Sequence, residues 1–193
     1  HFGEHYDNLF SNPIRDPAVA QAWYDKMPQR QQDRSWLPPT ATEVGKAVKE
    51  IKNAAPGLSG IPASMWKVLY GNPVLQMSML KVMQKCWADG VVPKCWRTYY
   101  LTVLPKKGDL TLPSNYRGIS IGESLSKVYA TIIKHRLNDF YETVVPECSC
   151  GFRRGRGRAD CIFSAKEVLR KRKMMGLESY GIFFDVQKCF DEI

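Results

Sequence analysis

Apolar residues recur along the chain with two periods, and segments rich in Pro and Gly separate them. In TATEVGKAVKEIKNAAPG, Val44, Ala47, Val48 and Ile51 fall at helical spacing, Thr40 and Glu43 are placed as a capping box, and Pro56 and Gly57 stop the run. A first helix is predicted there. NPVLQMSMLKVMQKCWADG repeats the logic: Asn72 caps, Pro73 suits the first turn, and Leu75, Met79, Val82, Met83 and Cys86 form an apolar stripe that ends at Gly90. Methionines at this spacing read as core packing. Leu125, Val128, Tyr129, Ile132, Ile133 and Leu137 define a third, strongly amphipathic helix, and Asp160 to about Met175 a basic one.

Two stretches carry the period and composition of strands. YYLTVLP, Tyr99 to Pro105, is β-branched and aromatic and runs into the turn-rich KKGDLTLPSN, so it reads as a strand entering a hairpin. YGIFFDV, from Tyr180, reads as a closing strand. Residues 1 to 39 are rich in Pro and polar residues (Pro13, Pro17, Pro28, Pro38, Pro39), which predicts an irregular lead-in or linker with a short helix around Ala18 to Lys26. Helices segregated from a few strands make residues 40 to 193 an α+β domain, without internal repeats.

Composition narrows the class. With 193 residues, 44% of them hydrophobic and 11% aromatic, the chain can bury a sizeable core. No uninterrupted apolar stretch approaches the roughly 18 residues that span a bilayer. HFGEHYDNLF lacks the order of a signal peptide, so a soluble, intracellular protein is expected. A start at His1 and an end at Ile193, without a recognisable terminating element, read as a piece of something longer. Cys148 and Cys150 form C-x-C rather than a zinc knuckle, no second pair follows at finger spacing, and the six cysteines read as reduced thiols.

Charge adds a candidate partner. The net charge is +9, and nine basic residues against two acids between Cys150 and Lys173 place +7 of it in one segment. Such a cluster repels itself unless a polyanion covers it, and a phosphate backbone is the usual partner. CGFRRGRGR interleaves Gly151, Gly155 and Gly157 with four arginines, which lets backbone amides and guanidinium groups approach a phosphate chain. Lys106 and Lys107 stand at the end of the first strand, and Arg117 stands ten residues past Lys107, across the expected hairpin. Cations on two adjacent strands can grip one phosphate group from two sides. Asp185 ends an apolar run, where a carboxylate is costly unless it meets a cation, and this makes it a candidate metal ligand.

The ordered blocks APGLSGIP, VVPKCWRTYYLTVLPKKGD, NYRGISIGESLSKVYATIIKHRL, CGFRRGRGRADCIF and GIFFDVQKCFDEI together resemble the reverse transcriptases of non-long-terminal-repeat (LINE-type) retrotransposons. The resemblance covers residues from about 40 to 193. It implies the fingers and a partial palm of a right-hand polymerase, truncated after the first palm motif, in an enzyme that copies RNA into DNA by two-metal phosphoryl transfer. By the same resemblance, Asp185 would be the first metal-binding carboxylate, with the carbonyl of Val186 beside it, and Phe190 the aromatic gate against the sugar. Lys106, Lys107 and Arg117 would hold the incoming triphosphate. Gly151, Phe152, Arg153, Arg154, Arg156 and Arg158 would line the nucleic-acid and nucleotide pocket. Ser59, Ser149 and Arg158 depart from the Asp, Gln and Thr usual in the family at those places.

The implied cofactor is Mg2+, weak or absent in this segment alone because the second palm motif lies outside it. The implied partners are an RNA template, a DNA primer, dNTP, and the remainder of its own polyprotein or a host assembly, with no membrane and a nuclear setting. Asp185 is accordingly expected near the surface. The alternative reading is a reverse-transcriptase-derived, non-catalytic subunit whose basic face rests on RNA or an acidic partner.

Overall fold

The computed structural model describes residues 2–10, Ala18, Gln21, Asp25 and residues 37–185. The chain divides into two compact units, the first made of His1–His5 and Gln29–Asp139 and the second of Tyr6–Pro28 and Phe140–Ile193. Six helices are described: α1 (Phe2–Phe10), α2 (Ala41–Glu50), α3 (Ala63–Leu69), α4 (Pro73–Asp89), α5 (Ser124–Val144) and α6 (Arg158–Met174). Two strands, β1 (Tyr100–Pro105) and β2 (Tyr116–Ile121), pair antiparallel. Among the described residues they are the whole of the sheet.

The caps form as their residues dictate. Thr40 Oγ1 accepts the Glu43 amide at 3.3 Å while the Thr40 amide donates to Glu43 Oε2 at 2.8 Å, a closed capping box at the start of α2. Asn72 Oδ1 accepts the amides of Val74 and Leu75 at 2.9 and 3.3 Å, and Pro73 occupies the first turn of α4. Gly90 ends α4 at φ 65°, a left-handed conformation that a Cβ would disfavour.

The core belongs to the first unit. Val44, Ala47, Val48 and Ile51 meet Met79, Met83 and Cys86 of α4 and Val128 and Ile132 of α5, with Ala63 and Trp96 closing the cluster. The stripe on α4 is narrower than its sequence predicts, because Val82 is exposed and Leu75 half-buried. Leu137 of α5 is likewise exposed.

Arg136 of α5 ties this core to its capping box. Its Nε and Nη2 donate to Glu43 Oε1 and Oε2 at 2.7 and 2.8 Å, its Nη1 and Nη2 donate to the carbonyls of Leu37 and Pro38, and its guanidinium lies 4.7 Å from the Trp87 ring centre. These hydrogen bonds hold the Glu43 carboxyl down at about 2 against the opposing effect of partial burial, with Thr40 assisting. A depressed carboxyl stabilises the fold above its ordinary value of 4.5 and loses that contribution as pH falls through about 2. Urea midpoints are therefore expected to fall across that window, and Glu43→Gln is expected to show a shallower fall than the parent.

Two expectations fail. Residues 1 to 39 carry α1, whose Phe2, Tyr6 and Phe10 recur every four residues, so this part of the lead-in is helical and not irregular. Residues 180–185, expected as a strand, have no regular structure. A strand exists only by pairing its amides and carbonyls with a neighbour, and among the described residues nothing pairs with this segment. Its apolar side chains stand open: Ile182 is 78%, Phe183 99% and Phe184 90% exposed. In the second unit no described residue from Phe140 onward is buried, α6 included.

Candidate nucleic-acid and nucleotide interface

In the first unit the candidate residues sit on the β1–β2 hairpin. Leu104 is opposite Arg117 and Pro105 opposite Tyr116, and the Lys106 amide continues the ladder by donating to the Asn115 carbonyl at 2.7 Å. Alternation along the strand, continued by that hydrogen bond, assigns Lys106 to the face of Leu104 and Arg117, while Lys107 stands in the bend that follows. All three cations are exposed, and none makes an ion pair with a described residue. The turn between them is braced. Asp109 Oδ1 accepts the Thr111 amide and hydroxyl at 2.9 and 2.7 Å, Asn115 Nδ2 donates to the Asp109 carbonyl, and Tyr116 OH donates to the Leu110 carbonyl. The hydrogen bonds from Thr111 lower the pKa of Asp109, which keeps a carboxylate in the turn.

A second brace holds the far end of β2. Glu123, only 6% exposed, accepts the Ser59 amide at Oε1 and the Ser59 hydroxyl at Oε2, both at 2.7 Å. The Ser124 hydroxyl donates to the Ile61 carbonyl at 3.3 Å. A Cβ on Gly57 would lie 2.7 Å from the Glu123 nitrogen, so only glycine permits this approach. The block APGLSGIP is thus clamped onto the junction between β2 and α5. Sequence reasoning missed Glu123; its signal was an acid immediately before an amphipathic helix.

In the second unit the Arg-Gly loop is folded on its own acids. Arg153 donates from Nε and Nη2 to Glu142 Oε2 at 3.0 and 2.8 Å and from Nη1 to Glu147 Oε2 at 3.3 Å, and its side chain is 8% exposed. Arg156 pairs with the Glu147 carboxylate and donates to the Glu147 carbonyl at 2.7 Å. The pKa values move as pairing requires, with Arg153 raised by Glu142, Arg156 raised by Glu147, and Glu147 lowered chiefly by Arg156. Glu142 and Glu147 lie outside the window whose charge was counted, so the basic segment is less bare than its sequence suggests. On α6, Arg170 pairs with Glu167 at 2.8 Å.

The remaining loop residues are open. Arg154 and Arg158 are exposed and make no ion pair with a described residue. Gly151 is exposed, and its carbonyl accepts the Tyr141 hydroxyl at 3.1 Å. Phe152 takes φ 59° with its ring 83% exposed, a left-handed conformation unusual for a non-glycine residue, and Gly155 follows at φ 71°. The Gly157 amide donates to Asp160 Oδ2 at 2.6 Å, which caps α6 and ends the loop.

Asp185 belongs to the second unit and is exposed, as the sequence predicts, though on irregular chain rather than at a strand end. Val186 and Phe190 lie outside the described residues.

Comparison with known proteins bears on what these residues are for. Residues 104–193 match the family described as reverse transcriptase (RNA-dependent DNA polymerase). That stretch runs from the end of β1 through the basic loop and past Asp185. Residues 104–193 are thus similar to the reverse transcriptase family. Over 97% of its length the chain is 29% identical to the transposon TX1 uncharacterized 149 kDa protein of Xenopus laevis, of which it covers 14%. It is 24% identical, over 78% of its length, to the probable RNA-directed DNA polymerase from transposon BS of Drosophila melanogaster, covering 17% of that protein. With the Pol polyprotein from type-1 retrotransposable element R2 of Popillia japonica it shares 26% identity over 82% of its length, covering 21% of the relative. The chain thus spans about a fifth or less of these relatives.

What is described of residues 40–185 combines helices with one small antiparallel sheet. Among its described residues no group of three His, Cys, Asp or Glu side chains is arranged to hold a metal ion. Magnesium prefers six oxygen ligands in octahedral geometry, and Asp185 alone does not supply that set. Among the described residues no helix is long and apolar enough to cross a membrane.

Proposed function

We propose that this chain supplies the fingers and the start of the palm, residues 40 to 193, of a right-hand polymerase that copies retrotransposon RNA into DNA. Residues 1 to 39 lead into it. Lys106 and Arg117 bind the triphosphate of the incoming dNTP, Arg154 and Arg158 bind the template backbone, and Asp185 contributes one carboxylate to Mg2+ in the assembled polymerase. RNA template and DNA primer are the partners, and the nucleus is the setting. The reading rests chiefly on one observation: Lys106 and Arg117 share a face of a braced hairpin without carboxylate partners among the described residues.

The hairpin gives an asymmetric prediction. In the complete polymerase, Lys106→Ala and Arg117→Ala are each expected to raise the KM for dNTP by about tenfold or more, as loss of a charge-assisted phosphate contact implies. Lys107→Ala, in the bend beyond the ladder, is expected to change it by less than about threefold. Steady-state primer extension with varied dNTP measures all three. Equal effects of Lys106→Ala and Lys107→Ala would contradict the assigned face.

A further inference from the structure

Between Ile51 and Ala88 the chain carries four lysines and no acid, and the fold brings one of them to a groove shared with two lysines of α2. Lys46 and Lys49 of α2 and Lys67 of α3 line this open groove of about 840 Å³ in the first unit, together with Thr42, Gly45 and Tyr70. No described acid lines it. Residues three apart on a helix are neighbours, with about 5–6 Å between their Cβ atoms, so Lys46 and Lys49 form a row on one wall while Lys67 stands on another.

The acids of α2 are engaged elsewhere. Glu43 pairs with Arg136 and Glu50 Oε2 meets His135 Nε2, both partners on α5 and both contacts at 2.7 Å. The three groove lysines are exposed and make no ion pair with a described residue, so their charges stand uncompensated. The walls are fixed. Tyr70 OH donates to the Ala41 carbonyl at 3.2 Å, Gln76 Nε2 donates to the Tyr70 carbonyl at 2.7 Å, and a Cβ on Gly45 would lie 3.2 Å from the Tyr70 hydroxyl oxygen. Glycine at that place lets α2 and Tyr70 close on each other. Val44 and Ala47 are fully buried in the core, so α2 cannot roll and its lysines stay on the groove side.

We propose that this groove is a second RNA-binding surface, in which Lys46, Lys49 and Lys67 hold the phosphate backbone of single-stranded RNA at a place separate in the chain from the hairpin cations and from the Arg-Gly loop. Lysine is a compact point charge that grips a phosphate without a fixed geometry, which suits a strand held without regard to its sequence. Tyr70 adds an aromatic side chain to the cationic walls, the combination that single-strand-binding grooves use. An acidic peptide fits less well. Peptides dock by adding a strand to a sheet edge or by seating large apolar side chains in a groove. Here the walls are helical, their amides are bonded within the helices, and lysine, glycine and threonine make up much of the lining. The inference takes RNA as the partner from the proposed function but needs no polymerase activity.

Lysine acylation footprinting of the full-length protein containing this segment tests the surface directly. A saturating, unstructured single-stranded RNA is expected to slow acylation of Lys46, Lys49 and Lys67 by about fivefold or more, and that of Lys81, Lys94 and Lys134, exposed lysines outside the groove, by less than about twofold. Replacing the three groove lysines together by alanine should weaken binding of the same RNA by about tenfold and make the slope of log K against log salt shallower by about 2, at about 0.7 for each phosphate released. Replacing Lys81, Lys94 and Lys134 together removes the same charge and should do neither. Unprotected groove lysines, equal effects of the two triple variants, or equal protection by polyglutamate would overturn the proposal. Groove protection in a protein that extends no primer would support it and count against the polymerase reading alone, so the two fail separately.

Discussion

Replacing Arg154 and Arg158 together by alanine is expected to weaken RNA binding by about tenfold or more at moderate salt, with the fold intact. Both guanidinium groups are exposed, and neither pairs with a described acid. A phosphate therefore need not displace a carboxylate to reach them. Each phosphate neutralised on a single strand contributes about −0.7 to the slope of log K against log salt, so the double variant should also bind with a shallower slope. Arg153→Ala should act differently. Its side chain is 8% exposed and engages Glu142 and Glu147, so its loss leaves Glu142 without its cation, Glu147 with Arg156 alone, and loosens the loop. The expected outcome is lower thermal stability of the second unit with a smaller direct loss of RNA contacts. Fluorescence anisotropy over a salt series, with thermal melts of each variant, separates the two effects. A salt-independent affinity, or unchanged binding by the double variant, would reduce the loop to a solvated basic face.

Local signals were legible in the sequence because local geometry decides them. Thr40 with Glu43, Asn72 before Pro73, and Gly90 each satisfy or end a helix within four residues of themselves. The β-branched run ending at Pro105 likewise marked β1. Illegible features were those in which a residue finds its partner far along the chain. Glu43 reads as a cap, yet it also receives Arg136, and Glu123 reads as a surface acid at a helix start, yet it is the buried acceptor for Ser59. Arg153 and Arg156 read as bare cations because Glu142 and Glu147 precede the counted window. Short α3 starts after Pro62 without a capping side chain and carries too few turns to establish a stripe. Residues 180–185 fail in the opposite sense. Their composition suits a strand, but strand formation requires a neighbour that composition cannot provide.

The same point bears on Asp185. The chain covers 14% to 21% of the relatives compared, and the proposed role of the carboxylate is one it would play in a complete polymerase. Exposed Ile182, Phe183 and Phe184 before it form an apolar segment that would suit a sheet in the proposed palm. Placed there, Asp185 would join other carboxylates around Mg2+, and removing its charge would remove a metal ligand while keeping its shape. Asparagine is nearly isosteric, so folding should survive the change.

Primer extension on an RNA template by the full-length protein containing this segment, with and without Asp185→Asn, tests this most directly. DNA synthesis by the parent and a loss of at least about a thousandfold in the variant, with RNA affinity and melting temperature unchanged, is the predicted result. Equal extension by parent and variant, or RNA binding without extension by the parent, would contradict it, and the second outcome would leave a binding subunit in place of an enzyme.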